Sequence, residues 1–320
     1  MFSDKKRFSY IEKRLSNLGN TAANLSNTAA NLTDRVHTYG KMIKFSHTIF
    51  ALPFALSAVV MAWREHDPVI SDLVWILVAM VGARSAAMGF NRITDADIDA
   101  KNPRTLIREI PSGLLTRKDA AMFVAGSCTM FVFAAAMLGK LCFILSLPVL
   151  FLLLFYSVTK RFTKYCHIYL GFAISLAPAG AWIAITGSFS FSALFLTLAL
   201  MTYIAGFDIL YACQDIDFDR EHGLFSMPAK LGAAKAMIVS SLLHLFTFIF
   251  LAIMHFTFGM HPVFLIFLLA IGLLLIAEHR IVRPDNLEKI DIAFFNINSL
   301  ISVLLFSGVV VEAFVRAVIS

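Results

Sequence analysis

The chain has 320 residues, of which 59% are hydrophobic and only 15% are charged. This composition excludes an ordinary soluble domain, whose helix faces need more polar side chains, and it is typical of a protein that crosses a membrane several times. The formal net charge of +6 does not indicate nucleic-acid binding, because no basic patch is interleaved with exposed aromatic residues.

The first 40 residues form a polar and basic extension. Within it, the heptad at 20–26 is followed by a similar heptad at 27–33, each with a single leucine. With so little apolar surface, we predict that the extension is loosely ordered or lies on the membrane surface. Residues 41–320 are predicted to form one transmembrane domain.

Nine apolar runs follow, each close to the roughly 17–25 residues that a helix needs to cross a bilayer. They span residues 42–63, 73–94, 118–138, 141–158, 167–187, 190–212, 230–255, 259–277 and 292–318. We therefore predict an all-α membrane protein with nine transmembrane helices.

The loops on the two sides of these helices differ in charge. One side holds Arg64, Lys140 and Arg316, and nearly all other Lys and Arg residues fall on the side that includes the N-terminus. By the positive-inside rule, the basic side is cytoplasmic. We therefore predict a multi-pass protein of the cytoplasmic (inner) membrane.

Acidic side chains stand where the second run ends. Asn91, Asp95 and Asp99 are spaced at i, i+4 and i+8, so a helix of 3.6 residues per turn puts them on one face. Asp97 falls roughly opposite and is predicted to stay outside the group.

A second acidic set closes the sixth run. Asp208, Tyr211, Asp215 and Asp219 share a helix face, whereas Asp217 points away. Both sets lie at cytoplasmic helix ends. We therefore predict that they share one site, in a central cavity that opens to the cytoplasm.

Carboxylates with an amide oxygen are hard ligands that suit Mg²⁺, which completes its shell with water and phosphate oxygens. Two facing sets predict two Mg²⁺ ions that hold one diphosphate. Nearby basic side chains fit this interpretation, because Lys and Arg stabilise charge on a leaving phosphate. They are Lys44, Arg92, Arg104, Arg108, Lys160, Arg161 and Lys164. The simpler interpretation, a solvated cytoplasmic face, is preferred for Asp97, Lys101, Lys118 and Asp217.

These residues resemble the motifs of the UbiA superfamily of intramembrane aromatic prenyltransferases. That family has NxxxDxxxD in one cytoplasmic loop and a YxxxD element leading into DxxxD in another. The matching residues are Asn91, Asp95 and Asp99, then Tyr211, Asp215 and Asp219, with further similarity at Arg104, Thr105, Arg108, Gly113, Tyr156, Lys160 and Arg161. The resemblance extends from about Lys41 to the end of the chain.

The resemblance implies Mg²⁺-dependent transfer of a polyprenyl group from its diphosphate to a carbon of an aromatic acid, in a lipid bilayer. The catalytic residues would be Asp95, Asp99, Asp215 and Asp219, which with Asn91 would also bind the metal. The diphosphate would be held by Lys44, Arg92, Arg104, Lys160 and Arg161.

The acceptor stays open between two aromatic acids. Many members that use 4-hydroxybenzoate have R-P after the RT element, whereas this chain has Arg108-Glu109-Ile110-Pro111. The subgroup that it resembles includes proteins named 4-hydroxybenzoate polyprenyltransferase, of ubiquinone biosynthesis. It also includes members similar to the prenyltransferase of the futalosine route to menaquinone, whose acceptor would be a dihydroxynaphthoate.

Three residues are candidates for binding this acceptor. Arg84 lies two helical turns deeper than Asn91, where a charged group needs a partner or a cavity. It could hold the acceptor carboxylate or pair with a carboxylate such as Asp208. His47 and Tyr211 are the other candidates, and His47 could equally be a packed polar residue.

Two other functions make different predictions. A membrane transporter with functional carboxylates would be expected to place them near the bilayer midplane and to show symmetry between halves. An enzyme that joins phospholipid head groups would be expected to contain a DGxxAR-type run, and the sequence has none.

Overall fold

The computed structural model describes residues 37–43, 49–283, 287, 290 and 292–319, except for the side chains of 292–294. The chain divides into two units, Met1–Phe45 and Ser46–Ser320. In the first unit, residues 37–42 are helical, and the heptad repeat lies outside the described residues. The division of the chain at residues 40 and 41 stays a prediction.

The second unit is helical through its described part. Its helices are α1 (Leu52–Ala62), α2 (Ile70–Asp99), α3 (Arg117–Met137), α4 (Lys140–Thr159), α5 (Cys166–Thr186), α6 (Phe191–Ala212), α7 (Ile216–Glu221), α8 (Met227–Leu231), α9 (Ala233–Thr257), α10 (Phe264–Ile281) and α11 (Asn298–Ile319). A tight turn, Cys213–Asp215, joins α6 to α7, and a wider turn, Ile292–Ile297, leads into α11. The prediction of an all-α protein is confirmed.

Within the described residues, eight helical segments are long and apolar enough to cross a membrane. They match the last eight predicted spans, so the multi-pass prediction is confirmed. The first predicted span, 42–63, includes residues 44–48, which lie outside the described residues. Its described helix, α1, has 11 residues and is shorter than the roughly 20 that span a bilayer. The first predicted span, and with it the total of nine, therefore stays a prediction.

Helix α6 is the centre of the unit. Leu196, Leu200 and Ile204 on this helix are at most 1% exposed, because α5 and α9 cover it on either side. The contact with α5 is close at Gly171, where an added Cβ would overlap the carbonyl oxygen of Met201. Small residues allow such approach between membrane helices.

The outer helices present apolar side chains to their surroundings. On α4, Phe143, Leu147 and Phe151 are exposed. In water such a patch would be unfavourable, whereas in lipid it is the expected surface of a spanning helix. The inner face of the same helix ends beside the acidic residues described below.

An ion-pair network joins the helix ends opposite those acidic residues. The fully buried carboxylate of Glu312 on α11 pairs with Arg64 and Arg316. It also accepts a hydrogen bond from the backbone N–H of His261 at 2.8 Å. The network thus ties α11 to the loops that follow α1 and α9.

Candidate active site

The ends of α2, α4, α5 and α6 enclose a cavity of about 170 Å³ with the loop that follows α2. Members of both predicted acidic sets line it. Its lining includes Asn91, Asp95, Asp99, Asn102, Arg104, Arg108, Tyr156, Lys160, Arg161, His167, Asp208, Tyr211 and Asp215. Residues far apart in sequence therefore meet in one polar cavity between membrane helices.

The last turns of α2 supply the first acidic set. Asn91 donates a side-chain hydrogen bond to Asp95 at 2.9 Å, as their i, i+4 spacing allows. Arg161 lies 3.6 Å from the Asp95 carboxylate and donates to the carbonyl of Thr94 at 2.5 Å. This contact joins the end of α4 to the end of α2.

Asp99 is 5% exposed and receives Nη1 of Arg108 on both of its oxygens, at 2.8 and 2.7 Å. Thr105 donates to the backbone carbonyl of Asp99 at 3.2 Å, which folds the loop back over the helix end. Gly113 closes this loop at φ 79°, a left-handed conformation that glycine adopts without strain.

Asp215 lies in the tight turn after α6 and is bound by the same loop. Arg104 donates from Nε to Oδ1 at 3.0 Å and from Nη2 to Oδ2. Asn102 donates to Oδ1 at 3.3 Å, and Arg104 Nη1 donates to the hydroxyl of Tyr211 at 2.9 Å. Burial lowers the pKa of the Arg104 guanidinium, but its hydrogen bond to Asp215 and the charge of that carboxylate outweigh burial and raise the pKa overall.

Asp219 does not line the cavity. Its carboxylate is fully buried on α7, with Lys160 Nζ 2.7 Å from Oδ1. The turn Cys213–Asp215 separates α6 from α7, so the predicted helix face is not continuous between Asp215 and Asp219. The expectation that Asp219 shares that face with Asp215 is corrected accordingly.

Asp208 lies deeper on α6 and has a different partner. Its Oδ2 is 2.7 Å from Nδ1 of His167, the second residue of α5. Nε2 of the same imidazole accepts a hydrogen bond from the backbone N–H of Met227, the first residue of α8, at 3.2 Å. His167 thereby links three helices at the wall of the cavity.

Of the other predicted residues, two are described and do not line the cavity. Arg92 is 3% exposed and lies 3.9 Å from Glu109. It follows Asn91 by one residue, which is about 100° around α2, so its side chain points away from the face that carries Asn91. Arg84 is partly buried on α2, away from the cavity lining. Lys44 and His47 lie outside the described residues.

The residues assigned to a solvated face are on the surface. Asp97 and Asp217 are exposed, as are Lys101 and Lys118. Asp97 pairs there with Arg117. Helical spacing had distinguished these acidic residues from their neighbours.

Two residues that the fold brings into the cavity had no predicted role. Asn102 and His167 are lone polar residues whose partners lie 113 and 41 positions away along the chain. The sequence did indicate a role for Arg108, because this residue belongs to the segment that contains Arg104 and Thr105. Nothing in the sequence indicated that Arg108 pairs with Asp99.

The donor set fits a divalent cation held partly by substrate. Within the described residues, no group of three or more His, Cys, Asp or Glu side chains is arranged to hold a metal ion. Mg²⁺ needs only one or two carboxylates when water and phosphate oxygens complete its shell. In addition, both carboxylate oxygens of Asp219 are buried without a hydrogen-bond partner of good geometry in the described part.

Comparison with known proteins gives a consistent result. The model of the "UbiA prenyltransferase family" matches residues 51–300. The 4-hydroxybenzoate octaprenyltransferase of Neisseria gonorrhoeae (strain ATCC 700825 / FA 1090) is 29% identical over 203 residues, which are 62% of this chain and 68% of that protein.

Two solved structures share the fold. The apo structure of a UbiA homolog from Aeropyrum pernix K1 has a TM-score of 0.76 and 29% identity, over 83% of this chain and 98% of that chain. A UbiA homolog from Archaeoglobus fulgidus bound to GPP and Mg²⁺ has a TM-score of 0.60 and 19% identity, over 85% and 99%.

The spanning helices, the cavity and these matches together define a multi-pass membrane enzyme of prenyl transfer. The chain belongs to the UbiA prenyltransferase family. The predicted resemblance is thereby confirmed, as is the prediction of an enzyme similar to 4-hydroxybenzoate polyprenyltransferases. Family membership selects the enzyme over the transporter and the head-group transferase.

Proposed function

We propose that the protein transfers a polyprenyl group from polyprenyl diphosphate to a ring carbon of an aromatic acid, with Mg²⁺ as cofactor. The observation that supports this most directly is the arrangement of Lys and Arg around the cavity carboxylates. Such a set can exchange its internal partners for a polyanion and its metal. The Neisseria relative, a 4-hydroxybenzoate octaprenyltransferase, supports the aromatic acid. The Archaeoglobus homolog, which is bound to GPP and Mg²⁺, supports a prenyl diphosphate and the metal.

The diphosphate would take the basic side chains of the cavity wall. Arg104, Lys160 and Arg161 are our candidates from the sequence, and Arg108 joins them because it also lines the cavity. Guanidinium groups suit this role because they bind phosphate oxygens in pairs. Lys44 is a further candidate, whereas the burial of Arg92 against Glu109 argues against a role for that residue.

The metal would be held by Asn91, Asp95 and Asp99 on one side and by Asp215 and Asp219 on the other. Bound there, it would neutralise charge on the diphosphate and favour its departure. Asp219 would have to exchange its contact with Lys160 for this role.

The chain's own side chains would control the allylic group as the diphosphate leaves. The protein encloses the reacting carbon between helices, so water is kept from a cation-like centre. Basic residues hold the leaving group on one side, and the electron-rich ring attacks from the other. The ring proton then passes to a carboxylate or to the released diphosphate.

The acceptor would be 4-hydroxybenzoate, as in ubiquinone biosynthesis, or a dihydroxynaphthoate, as in menaquinone biosynthesis. Arg84, His47 and Tyr211 are our candidates for binding it, and among these Tyr211 lines the cavity. We further propose that the protein lies in the cytoplasmic membrane and that its cavity faces the cytoplasm. The basic loops support that orientation.

Turnover in membranes tests the proposal. Membranes containing the protein are supplied with a polyprenyl diphosphate, Mg²⁺ and either aromatic acid, and products are identified by mass spectrometry. Formation of a prenylated acid is the expected result, and the acceptor that reacts resolves the choice between the two. Absence of product with both acids, from protein that is correctly inserted, would contradict the proposal.

A further inference from the structure

Asp208 differs from the other carboxylates of the cavity lining. Asp95, Asp99 and Asp215 each pair with an arginine. Within the described residues, no Lys or Arg nitrogen lies within 4.0 Å of Asp208, and its ionisable partner is His167 at 2.7 Å. A carboxylate without a cationic partner is poorly suited to the charge exchange proposed for the others.

The hydrogen bonds of His167 fix its protonation. The backbone N–H of Met227 can only donate, so Nε2 of His167 must be the accepting, unprotonated nitrogen. The ring proton is therefore on Nδ1, from which it is donated to Oδ2 of Asp208. His167 is therefore a neutral imidazole that orients the carboxylate. The side chain of His167 is 3% exposed and that of Asp208 is 23% exposed.

Asp208 also lies at a different depth. It lies four residues before the end of α6 at Ala212, about one turn or roughly 6 Å inside the helix end, whereas Asp215 lies in the turn beyond that end. The basic side chains at 104, 160 and 161 cluster with the acidic residues of the helix ends. The allylic carbon must lie beside the diphosphate, and the acceptor ring must approach it from the side away from that group. Asp208 lies on this inner side.

We propose that Asp208, oriented by His167, accepts the hydroxyl proton of the aromatic acceptor and so forms a hydroxyl-specific subsite at the inner end of the cavity. Asp208 would be a catalytic residue and His167 a positioning residue. The inference rests on the proposed function, because it requires a hydroxylated aromatic acceptor.

The step balances without a further reactant. As the O–H proton moves to Asp208, the oxygen pushes electron density into the ring, and the ortho carbon bonds to the allylic carbon. The allylic C–O bond breaks with its electron pair on the diphosphate. That diphosphate takes the proton of the substituted ring carbon, and Asp208 returns its proton to the oxygen.

A matched pair of acceptors tests the subsite. We compare kcat for 4-hydroxybenzoate and 4-methoxybenzoate, or for a dihydroxynaphthoate and its methyl ether, in the parent protein and in Asp208→Asn. The substitution keeps the shape of the side chain but removes the base. We expect kcat for the hydroxylated acceptor to fall about 100-fold, as typical for loss of a general base. The rate with the ether should change less than about threefold.

Two variants separate positioning from folding. His167→Gln retains an N–H donor for Asp208 and should keep the preference for the hydroxylated acceptor. His167→Phe fills the space without a donor and should lose that preference. A merely structural role would instead lower both rates together. Asp217→Asn, at an exposed position, serves as the control.

The outcomes distinguish the inference from the proposed function. If the parent protein prenylates neither hydroxylated acid, the proposed function fails and the inference fails with it. If the parent is active and Asp208→Asn keeps its preference for hydroxyl over methoxy, only the inference is overturned. A selective rise in KM for the polyprenyl diphosphate would also overturn it. Should Asp208→Asn not insert, Asp208→Glu must keep the preference at a lower rate, and its loss there would again contradict the inference.

Discussion

Arg104 and Asp215 form a forked ion pair that joins the loop after α2 to the turn after α6. Asn102 donates to the same carboxylate, so Asp215 receives hydrogen bonds from two residues of one loop. The loop after α2 therefore connects the first acidic set, at the end of that helix, to Asp215 of the second set, and members of both sets also line the same cavity. Substitutions on either side should affect a common site.

Replacing Asp215 by Ala should abolish turnover, with a loss of at least about 1,000-fold, because the proposed metal loses a ligand and Arg104 loses its partner. Asp95→Ala should behave in the same way. The amount of inserted protein should not change. Turnover is measured in membranes with matched protein content, and Asp217→Ala is the control. Full activity in both Asp95→Ala and Asp215→Ala would refute the proposed metal site.

Arg104→Lys should weaken the enzyme although the charge is kept. A lysine supplies one point charge, whereas Arg104 reaches two oxygens of Asp215 and the Tyr211 hydroxyl at once. We expect kcat/KM for the polyprenyl diphosphate to fall about 10-fold, equivalent to roughly 1.4 kcal/mol. Equal kcat/KM values for the two proteins would show that the fork is dispensable.

Removal of divalent cations should stop turnover reversibly. EDTA should abolish product formation, because it would remove the ions that we propose the carboxylates hold to neutralise the diphosphate. Added Mg²⁺ should restore it, whereas Na⁺ at equal ionic strength should not. Product formation that persists after chelation and dialysis would contradict the requirement for metal.

Gly171→Ala should destabilise the fold. The added Cβ would overlap a backbone oxygen of α6, so the two helices would have to separate. We expect a loss of about 1–3 kcal/mol in the free energy of unfolding, typical of overpacking. Thermal melting in detergent measures it. Gly180→Ala on the same helix is the control, because an added Cβ there has nothing within 4 Å. Equal melting temperatures for the two variants would contradict the prediction.

Glu312→Gln should lower stability without changing the turnover of folded protein. The buried carboxylate would lose its charge and leave Arg64 without an anionic partner, at a cost of about 3–5 kcal/mol. Arg316→Gln should cost less than about 1 kcal/mol, because this side chain is 42% exposed. Melting temperatures of the two variants are compared. A smaller effect for Glu312→Gln than for Arg316→Gln would show that the network has another centre.

The spanning helices were predictable because lipid requires long apolar runs, and run lengths are read directly from sequence. The position of Asp95 relative to Asp99 was predictable for a similar reason, since helical periodicity fixes which residues share a face. Arg92 shows the limit of using proximity in sequence. It adjoins Asn91, but the helix turns its side chain toward Glu109.

The rest of the site depends on contacts between distant segments. Nothing in the local sequence at His167 indicates Asp208 or Met227, which become its neighbours only when α5, α6 and α8 pack together. The separation of Asp219 from the cavity results from one tight turn, Cys213–Asp215, in an otherwise periodic pattern. Such a change of helical phase follows from tertiary packing, which periodicity does not encode.

The pairing of acidic and basic side chains also affects how permeable the cavity is to ions. Asp95, Asp99, Asp215 and Asp219 are each matched by one cation, so these pairs add no net fixed charge to a cavity cut into the bilayer. These four pairs therefore offer small cations little attraction, and Asp208 is the carboxylate of the lining that has no Lys or Arg partner among the described residues. In the proposed function, a diphosphate would enter by exchanging partners with these pairs, which would form again when the product leaves. A polar cavity lined by these matched pairs is thus compatible with a membrane that maintains a voltage.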